Sequence, residues 1–272
     1  ATQGGGVNRY DPNTKTFAVF RHERNDPASL QSDTLGSVYY KQALAEDGQG
    51  NIWIASFAAG VSRFVRAEQR FKRYQNKPGD APLLPDDRVV SVYADRAGQV
   101  WAGTQSGLAR YDREQDRFVR VSIPWKRDVQ PVVRSMHEGR EGVLWLGTEG
   151  DGLLRFDTVS GTAEQYLPQR GDRNSLAAPL ISAIAIDRNG FLWLTHYEKQ
   201  LSIFDPENER FYRHVGDDNS PGRLHGSELS DAYADRDGRV WLLSHTGVLN
   251  KYDQNAYKFE LYRHDDDDAF SL

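Results

Sequence analysis

An all-β chain of repeated four-stranded units is the fold class this sequence predicts, and three observations predict it. Five tryptophans, Trp53, Trp101, Trp145, Trp193 and Trp241, recur at spacings of 48, 44, 48 and 48 residues. Each closes one version of the same short stretch: DGQGNIW, DRAGQVW, GREGVLW, DRNGFLW and DRDGRVW. Between these stretches the apolar residues fall in short β-prone runs, without the i, i+3, i+4 recurrence of a helix face. A period in the forties accommodates four short strands and their turns.

Each unit has the same elements in the same order. Strand a precedes the turn, as in RVVSVYA (88 to 94), PVVRSM (131 to 136), LISAIAI (180 to 186) and LSDAYA (229 to 234). Strand b carries the tryptophan, as in QVWAGT and VLWLGT. A glycine follows at Gly60, Gly107, Gly152 and Gly247, leading into strand c, which ends in motifs such as Arg110-Tyr111-Asp112 and Arg155-Phe156-Asp157. Strand d carries bulky pairs three apart: Phe71 and Tyr74, Phe118 and Val121, Phe259 and Tyr262.

Antiparallel units of this size are the blades of a β-propeller. The expected units are a half-blade over 1–25, five blades near 35–75, 86–122, 130–167, 179–215 and 227–263, and a linker over 264–272. They form a single partial propeller domain. GGGVNRYD (4 to 11) and FAVF (17 to 20) supply the half-blade's strands c and d, while DPASL (26 to 30), RNSL (173 to 176) and DDAFSL (267 to 272) read as linkers into the next strand a. Tryptophan is expected to fill the space between blades, and the Ala-Gly after Trp101 to allow close approach. The chain begins with Ala, its only Met is Met136, and no basic-then-apolar leader is present, so it reads as a processed or excised piece of a larger propeller.

Composition narrows the function. With 38% apolar residues, 27% charged residues and no long apolar run, the chain reads as folded, without a membrane span or direct membrane insertion. A net charge of −5 offers no broad positive field for nucleic acid. The absence of cysteine removes disulfides, thiolate zinc sites and a cysteine nucleophile.

The acidic turn invites a metal reading that its spacing defeats. An EF-hand loop counted from Asp235 would need an acidic ligand at its twelfth position, which is Thr246. Asp237 is replaced by Ala97 and Asn189 in sister turns, and Gly139 stands where the leading Asp should be. The sialidase Asp-box misfits as well, because its Asp lies five residues before the aromatic and here the interval is six. An Asp at the first position with Gly at the fourth instead specifies a type I turn followed by a left-handed glycine. The seven histidines show no zinc spacing, no Ser sits in GxSxG, and Gly4-Gly5-Gly6 lacks the lysine of a phosphate loop. Asp265 to Asp268 read as solvated linker. No catalytic residue, metal or cofactor is expected.

The turns that do not repeat are the candidate ligand site. The b-to-c turns and d-to-a crossovers of a propeller share one rim, and here they carry Phe57, Gln105, Glu149 with Asp151, His196 with Tyr197, and His245. The crossover IPWKRDVQP (123 to 131) adds Trp125 and Arg127; an exposed aromatic beside charge suits sugar or peptide recognition, and packing of Trp125 under its own loop is the alternative.

The string DxxGxxWxGT, then GLxRYD, an aromatic strand and a DPxSL linker, closest in WAGTQSGLARYD (101 to 112) and WLGTEGDGLLRFD (145 to 157), resembles the two-component regulator propeller repeat. THYEKQLSIFD (195 to 205) departs most. The resemblance implies a periplasmic input region of a membrane-bound histidine kinase, hybrid kinase or diguanylate cyclase, joined to connector and signalling domains of the same chain. It also implies an unidentified small ligand, for which oligosaccharides are the precedent, with homodimerisation open. Two other functions stay open on the residues: a propeller enzyme similar to the streptogramin lyases, using a rim histidine and a divalent ion, and a protein-interaction scaffold with a broad apolar rim.

Overall fold

A computed structural model describes residues 2, 4–35, 42–76, 84–125, 127–140, 142–197, 200–216, 222–226, 228–253 and 258–262. Lys126, Glu198, the Gly-Asp-Asp-Asn-Ser stretch beyond 216 and the 264–272 linker with Asp265 to Asp268 lie outside the described residues. The chain divides into two compact units, Ala1–Glu138 and Gly139–Leu272.

The first unit opens with the two-stranded sheet of β1 (Val7–Asp11) and β2 (Thr16–Phe20). A four-stranded sheet follows, made of β3 (Leu44–Glu46), β4 (Ile52–Ser56), β5 (Gly60–Val65) and β6 (Arg70–Tyr74). The next comprises β7 (Val89–Ala94), β8 (Val100–Thr104), β9 (Gly107–Asp112) and β10 (Arg117–Val121), and β11 (Val133–Glu138) ends the unit. The second unit begins with β12 (Val143–Thr148), β13 (Leu153–Asp157) and β14 (Ala163–Tyr166). Two four-stranded sheets complete it: β15 (Ala183–Ile186), β16 (Leu192–Thr195), β17 (Gln200–Asp205) and β18 (Arg210–Val215), then β19 (Leu229–Ala234), β20 (Val240–Ser244), β21 (Leu249–Asp253) and β22 (Lys258–Tyr262). Every sheet is an antiparallel meander, so the architecture is all-β with propeller blades.

The turn before each tryptophan folds as its residues dictate. Gly50, Gly98, Gly190 and Gly238 have φ of 76–85°, a backbone that favours glycine. The leading aspartate uses one oxygen as a turn acceptor: Asp187 Oδ1 accepts from the amides of Asn189 and Phe191 at 2.9 and 3.1 Å, and Asp235 Oδ1 from those of Asp237 and Arg239 at 2.9 Å each.

The other oxygen does something the turn signature does not require. Oδ2 accepts the indole N–H six residues on, in Asp47–Trp53 at 2.8 Å, Asp95–Trp101 at 2.9 Å, Asp187–Trp193 at 3.0 Å and Asp235–Trp241 at 2.9 Å. One carboxylate therefore fixes both the turn and the ring. In the third repeat a side chain at Gly139 would meet Trp145 Nε1 at 2.5 Å, so the glycine leaves room for the indole.

The held tryptophans form the cores. Trp53 packs on Tyr74 of its own sheet and on Tyr111 and Phe118 of the next, with ring centroids 5.5, 4.6 and 5.8 Å away. In the second unit Trp145 meets Tyr166 and Phe204 at 6.0 and 5.5 Å, and Trp193 meets Tyr252 at 4.7 Å. Trp53, Trp145 and Trp193 thus fill gaps between successive sheets, as expected. Small residues allow that approach: a Cβ on Gly103 would strike Ser91 Oγ and the Val133 carbonyl at 2.3 Å each.

The Ser-Leu linkers are clamped. Arg213 on β18 donates to the Ser175 carbonyl and hydroxyl, both at 2.6 Å, and to the Leu176 carbonyl at 2.7 Å. Arg73 on β6 grips Ser29 and Leu30 in the same way. Leu30 and Leu176 are fully buried, so each linker anchors a crossover.

Candidate rim site

Within each unit the b-to-c turns meet the crossovers, which assembles the ends of the blades where sequences diverge. In the first unit Gly60 N–H donates to the Asp87 carbonyl at 2.8 Å and Gln105 N–H to the Arg88 carbonyl at 3.1 Å. In the second, Gly152 N–H donates to the Pro179 carbonyl at 2.8 Å and His245 N–H to the Glu228 carbonyl at 3.0 Å.

In the first unit Phe57 and Gln105 are half-buried within these turns. Asp86 beneath Ser106 accepts its hydroxyl at 3.0 Å and pairs with Arg88, whose guanidinium lowers the Asp86 pKa. The Trp125 loop closes on itself. Gln130 bridges both polar groups of Ile123 at 2.9 and 3.1 Å, and Trp125 Nε1 donates to the Val129 carbonyl at 3.1 Å. The Arg127 guanidinium lies 5.9 Å from the Trp125 ring. Trp125 is half-buried, with its ring held by its own loop and part of it open to solvent.

In the second unit Glu149 is exposed and its backbone bridges Leu180, while Asp151 is half-buried with its amide on Thr148 Oγ1 at 2.9 Å. Tyr197 and His245, from neighbouring blades, bring their rings to 5.6 Å with a tilt of 33°. Among the candidate residues, the structure brings Tyr197 to His245 and Trp125 to Arg127.

His196 corrects the expectation for this site. It is 0% exposed and cannot line an open rim. Nδ1–H donates to the Leu180 carbonyl at 2.7 Å and Nε2 accepts the Ser202 hydroxyl at 2.9 Å, while Ser202 Oγ receives the Ala177 amide at 3.1 Å. That chain of donors and acceptors suits the neutral ring. Burial lowers the His196 pKa to about 4, and the nearby Arg213 charge pushes the same way. The motif THYEKQ departs from its sisters because the histidine replaces the usual Gly-Thr pattern with an internal polar plug.

Sequence reasoning missed the Asp–Trp brace and the arginine clamp. Both had signals: an Asp six residues before each of four tryptophans, and an Arg two residues after a strand-d Phe in Phe71-Arg73, Phe118-Arg120 and Phe211-Arg213.

Blades of this construction define a β-propeller, and comparison with known proteins narrows the class. Residues 34–58 and 83–106 match the family model described as two component regulator propeller. Those two segments are similar to repeats of that family. Over 100 residues it is 30% identical to histidine kinase P4 of Formosa agariphila, a match covering 36% of this chain and 7% of that protein. Its fold is similar to the extracellular domain of a protein named as hybrid two component system BT3049, from B. thetaiotaomicron, with a TM-score of 0.76 and 21% identity, over 99% of this chain and 33% of that one. It is also similar to a catalytically inactive variant of virginiamycin B lyase from Staphylococcus aureus, at a TM-score of 0.58 and 14% identity, over 82% of this chain and 71% of that one. The chain thus spans about a third of the extracellular domain it resembles and a small part of the kinase.

Proposed function

We propose that this chain belongs to the extracytoplasmic input region of a membrane-bound signalling protein, periplasmic in location, and performs no chemistry itself. The observation that carries this reading is the division within each blade. Turn, tryptophan and linker are held by repeated bonds, whereas the b-to-c turns differ in every repeat and present Phe57, Gln105, Glu149, Asp151, and Tyr197 with His245, and the 123–131 crossover adds Trp125 with Arg127. Aromatic faces beside charged and amide groups suit a polar, ring-shaped ligand, and an oligosaccharide is the class we favour. The kinship with a histidine kinase supports a kinase output over a cyclase one.

Signalling needs the ligand to bind two states of the parent unequally; affinity alone shifts nothing. A lyase-like reaction using His196 as base is disfavoured, since both ring nitrogens are engaged and the ring is buried. The test is thermal unfolding of the purified chain against a panel of defined neutral and acidic oligosaccharides. One class should raise the midpoint, and Tyr197→Ala or Trp125→Ala should abolish that rise while leaving the unliganded midpoint nearly unchanged. A rise that survives both substitutions would move the site elsewhere, and no rise with any sugar would remove the oligosaccharide assignment.

A further inference from the structure

At one position of the rim the repeats depart from their own pattern. Three residues after the tryptophan stand Ser56, Thr104, Thr148 and Ser244, but in the blade of Trp193 the place belongs to His196. Three of the hydroxyls cap their own turns. Thr104 Oγ1 donates to the Gly107 carbonyl at 2.9 Å, Thr148 Oγ1 donates to the Gly152 carbonyl at 2.7 Å, and Ser244 Oγ accepts the Val248 amide at 3.1 Å. Such a cap closes a turn without reference to its neighbours.

His196 bonds outside its turn, to the Leu180 carbonyl on the crossover and to Ser202 on β17. Leu180 is also the residue that bridges Glu149, and the adjacent Ile181 amide donates to the Thr148 carbonyl at 3.0 Å. One crossover segment therefore carries the turn of the preceding blade directly and, through the imidazole, the turn of its own blade. Tyr197 follows His196, and its ring meets that of His245 on the next blade at 5.6 Å. The His245 turn is tied in its place as well: its amide donates to the Glu228 carbonyl, and Glu228 holds a φ of 56°, a left-handed backbone that favours glycine.

A hydroxyl would close the turn at 196 as it does in the sister repeats, so what the histidine adds is the tie to Leu180 and Ser202. A buried ring engaged at both nitrogens has little freedom to rotate, and it fixes the backbone that presents Tyr197. Recognition groups held in place before a ligand arrives bind with less ordering cost.

We propose that His196 is the positioning residue of the second unit's rim: by tying its turn to the crossover that also carries the preceding turn, it sets Glu149, Tyr197 and His245 as one recognition surface across three successive blades. His196 itself touches no ligand. A surface with a carboxylate on one blade and an aromatic pair on the next two suits a chain of linked sugar rings over a single sugar. The inference rests on the reading of the rim as the ligand face.

The test compares His196→Thr, the residue of the sister turns, with His196→Gln, whose amide can donate to Leu180 and accept from Ser202. With isotope-labelled histidine and tyrosine, the nuclear Overhauser contact between the Tyr197 and His245 rings should be present in the unsubstituted protein, lost in His196→Thr and kept in His196→Gln. Hydrogen exchange at the Ile181 amide should quicken roughly tenfold in His196→Thr alone. A contact kept in folded His196→Thr, or lost in folded His196→Gln, would overturn the positioning role; if His196→Thr does not fold, the Gln variant decides. Binding is read from the thermal midpoint with maltotriose, chitotriose and trigalacturonate, each against its monosaccharide. One trisaccharide should raise the midpoint where its monosaccharide does not, and its affinity should fall roughly tenfold in His196→Thr while His196→Gln preserves it. Affinity unchanged in His196→Thr despite loss of the ring contact, or an equal response to the monosaccharide, would overturn the shared surface. No shift with any of these sugars would remove the oligosaccharide assignment, while the ring contact still decides the role of His196.

Discussion

The two ends of a blade follow opposite rules. At the turn before the tryptophan, four of five repeats use the same aspartate for the same three tasks: closing the turn, accepting backbone amides and holding an indole that fills the core. At the b-to-c turn the residue that follows the strand differs from repeat to repeat, and backbone bonds tie several of these turns to their crossovers, as at Gln105 with Arg88 and His245 with Glu228. Backbone bonds hold a loop without dictating its side chains. Stability is therefore expected to concentrate where the repeats agree, and the variable end is free to vary in sequence.

The comparison breaks most sharply at the tryptophans. Trp193→Ala removes a fully buried indole and should cost about 3–5 kcal/mol, measured by chemical unfolding. Asp187→Ala leaves the indole N–H and two turn amides without their acceptor and should cost roughly 1–3 kcal/mol. A loss below about 0.5 kcal/mol would show that the brace is incidental.

His196 sharpens the comparison, because it lies at the variable end yet behaves as core. Its folded pKa, about 4, is below the unfolded value near 6.5, so its neutral form stabilises the fold fully above about pH 6.5. That contribution, roughly 3 kcal/mol, is lost as pH falls from 6.5 to 4. The thermal midpoint should drop across that window, and His196→Gln should flatten the drop. Asp47 and Asp235 act lower on the pH scale. Burial opposes the charged form of Asp47 but the hydrogen bonds from Trp53 and its turn outweigh it, and the Trp241 indole leads in lowering Asp235. Both contributions are full above about pH 3.9 and vanish as pH falls through the lowered values. The smallest effect belongs to Asp237→Asn, expected within about 0.5 kcal/mol, because that side chain is exposed and pairs with a likewise solvent-facing Arg239.

Much of this was legible in the chain. The tryptophan period announced the sheets, and DxxG announced a turn with a left-handed glycine, because both rest on local backbone chemistry. The indole bond of Asp235 was hidden because a turn explains the aspartate on its own; only the six-residue interval, shared four times, hinted at a second partner. At the variable end, Tyr197 beside His245 could not be read, since it depends on how two blades 48 residues apart align their turns. His196 misled for a related reason: a histidine in a divergent loop suggests a ligand, and only its distance to Ser202 and Leu180 shows an internal plug.

The most direct test is a matched pair of unfolding measurements on Asp187→Ala and Tyr197→Ala under identical conditions. The expected result is a loss of roughly 1–3 kcal/mol for Asp187→Ala and less than about 1 kcal/mol for Tyr197→Ala. Equal losses, or a larger one at Tyr197, would contradict the claim that stability resides at the repeated end and that the other end is free for recognition.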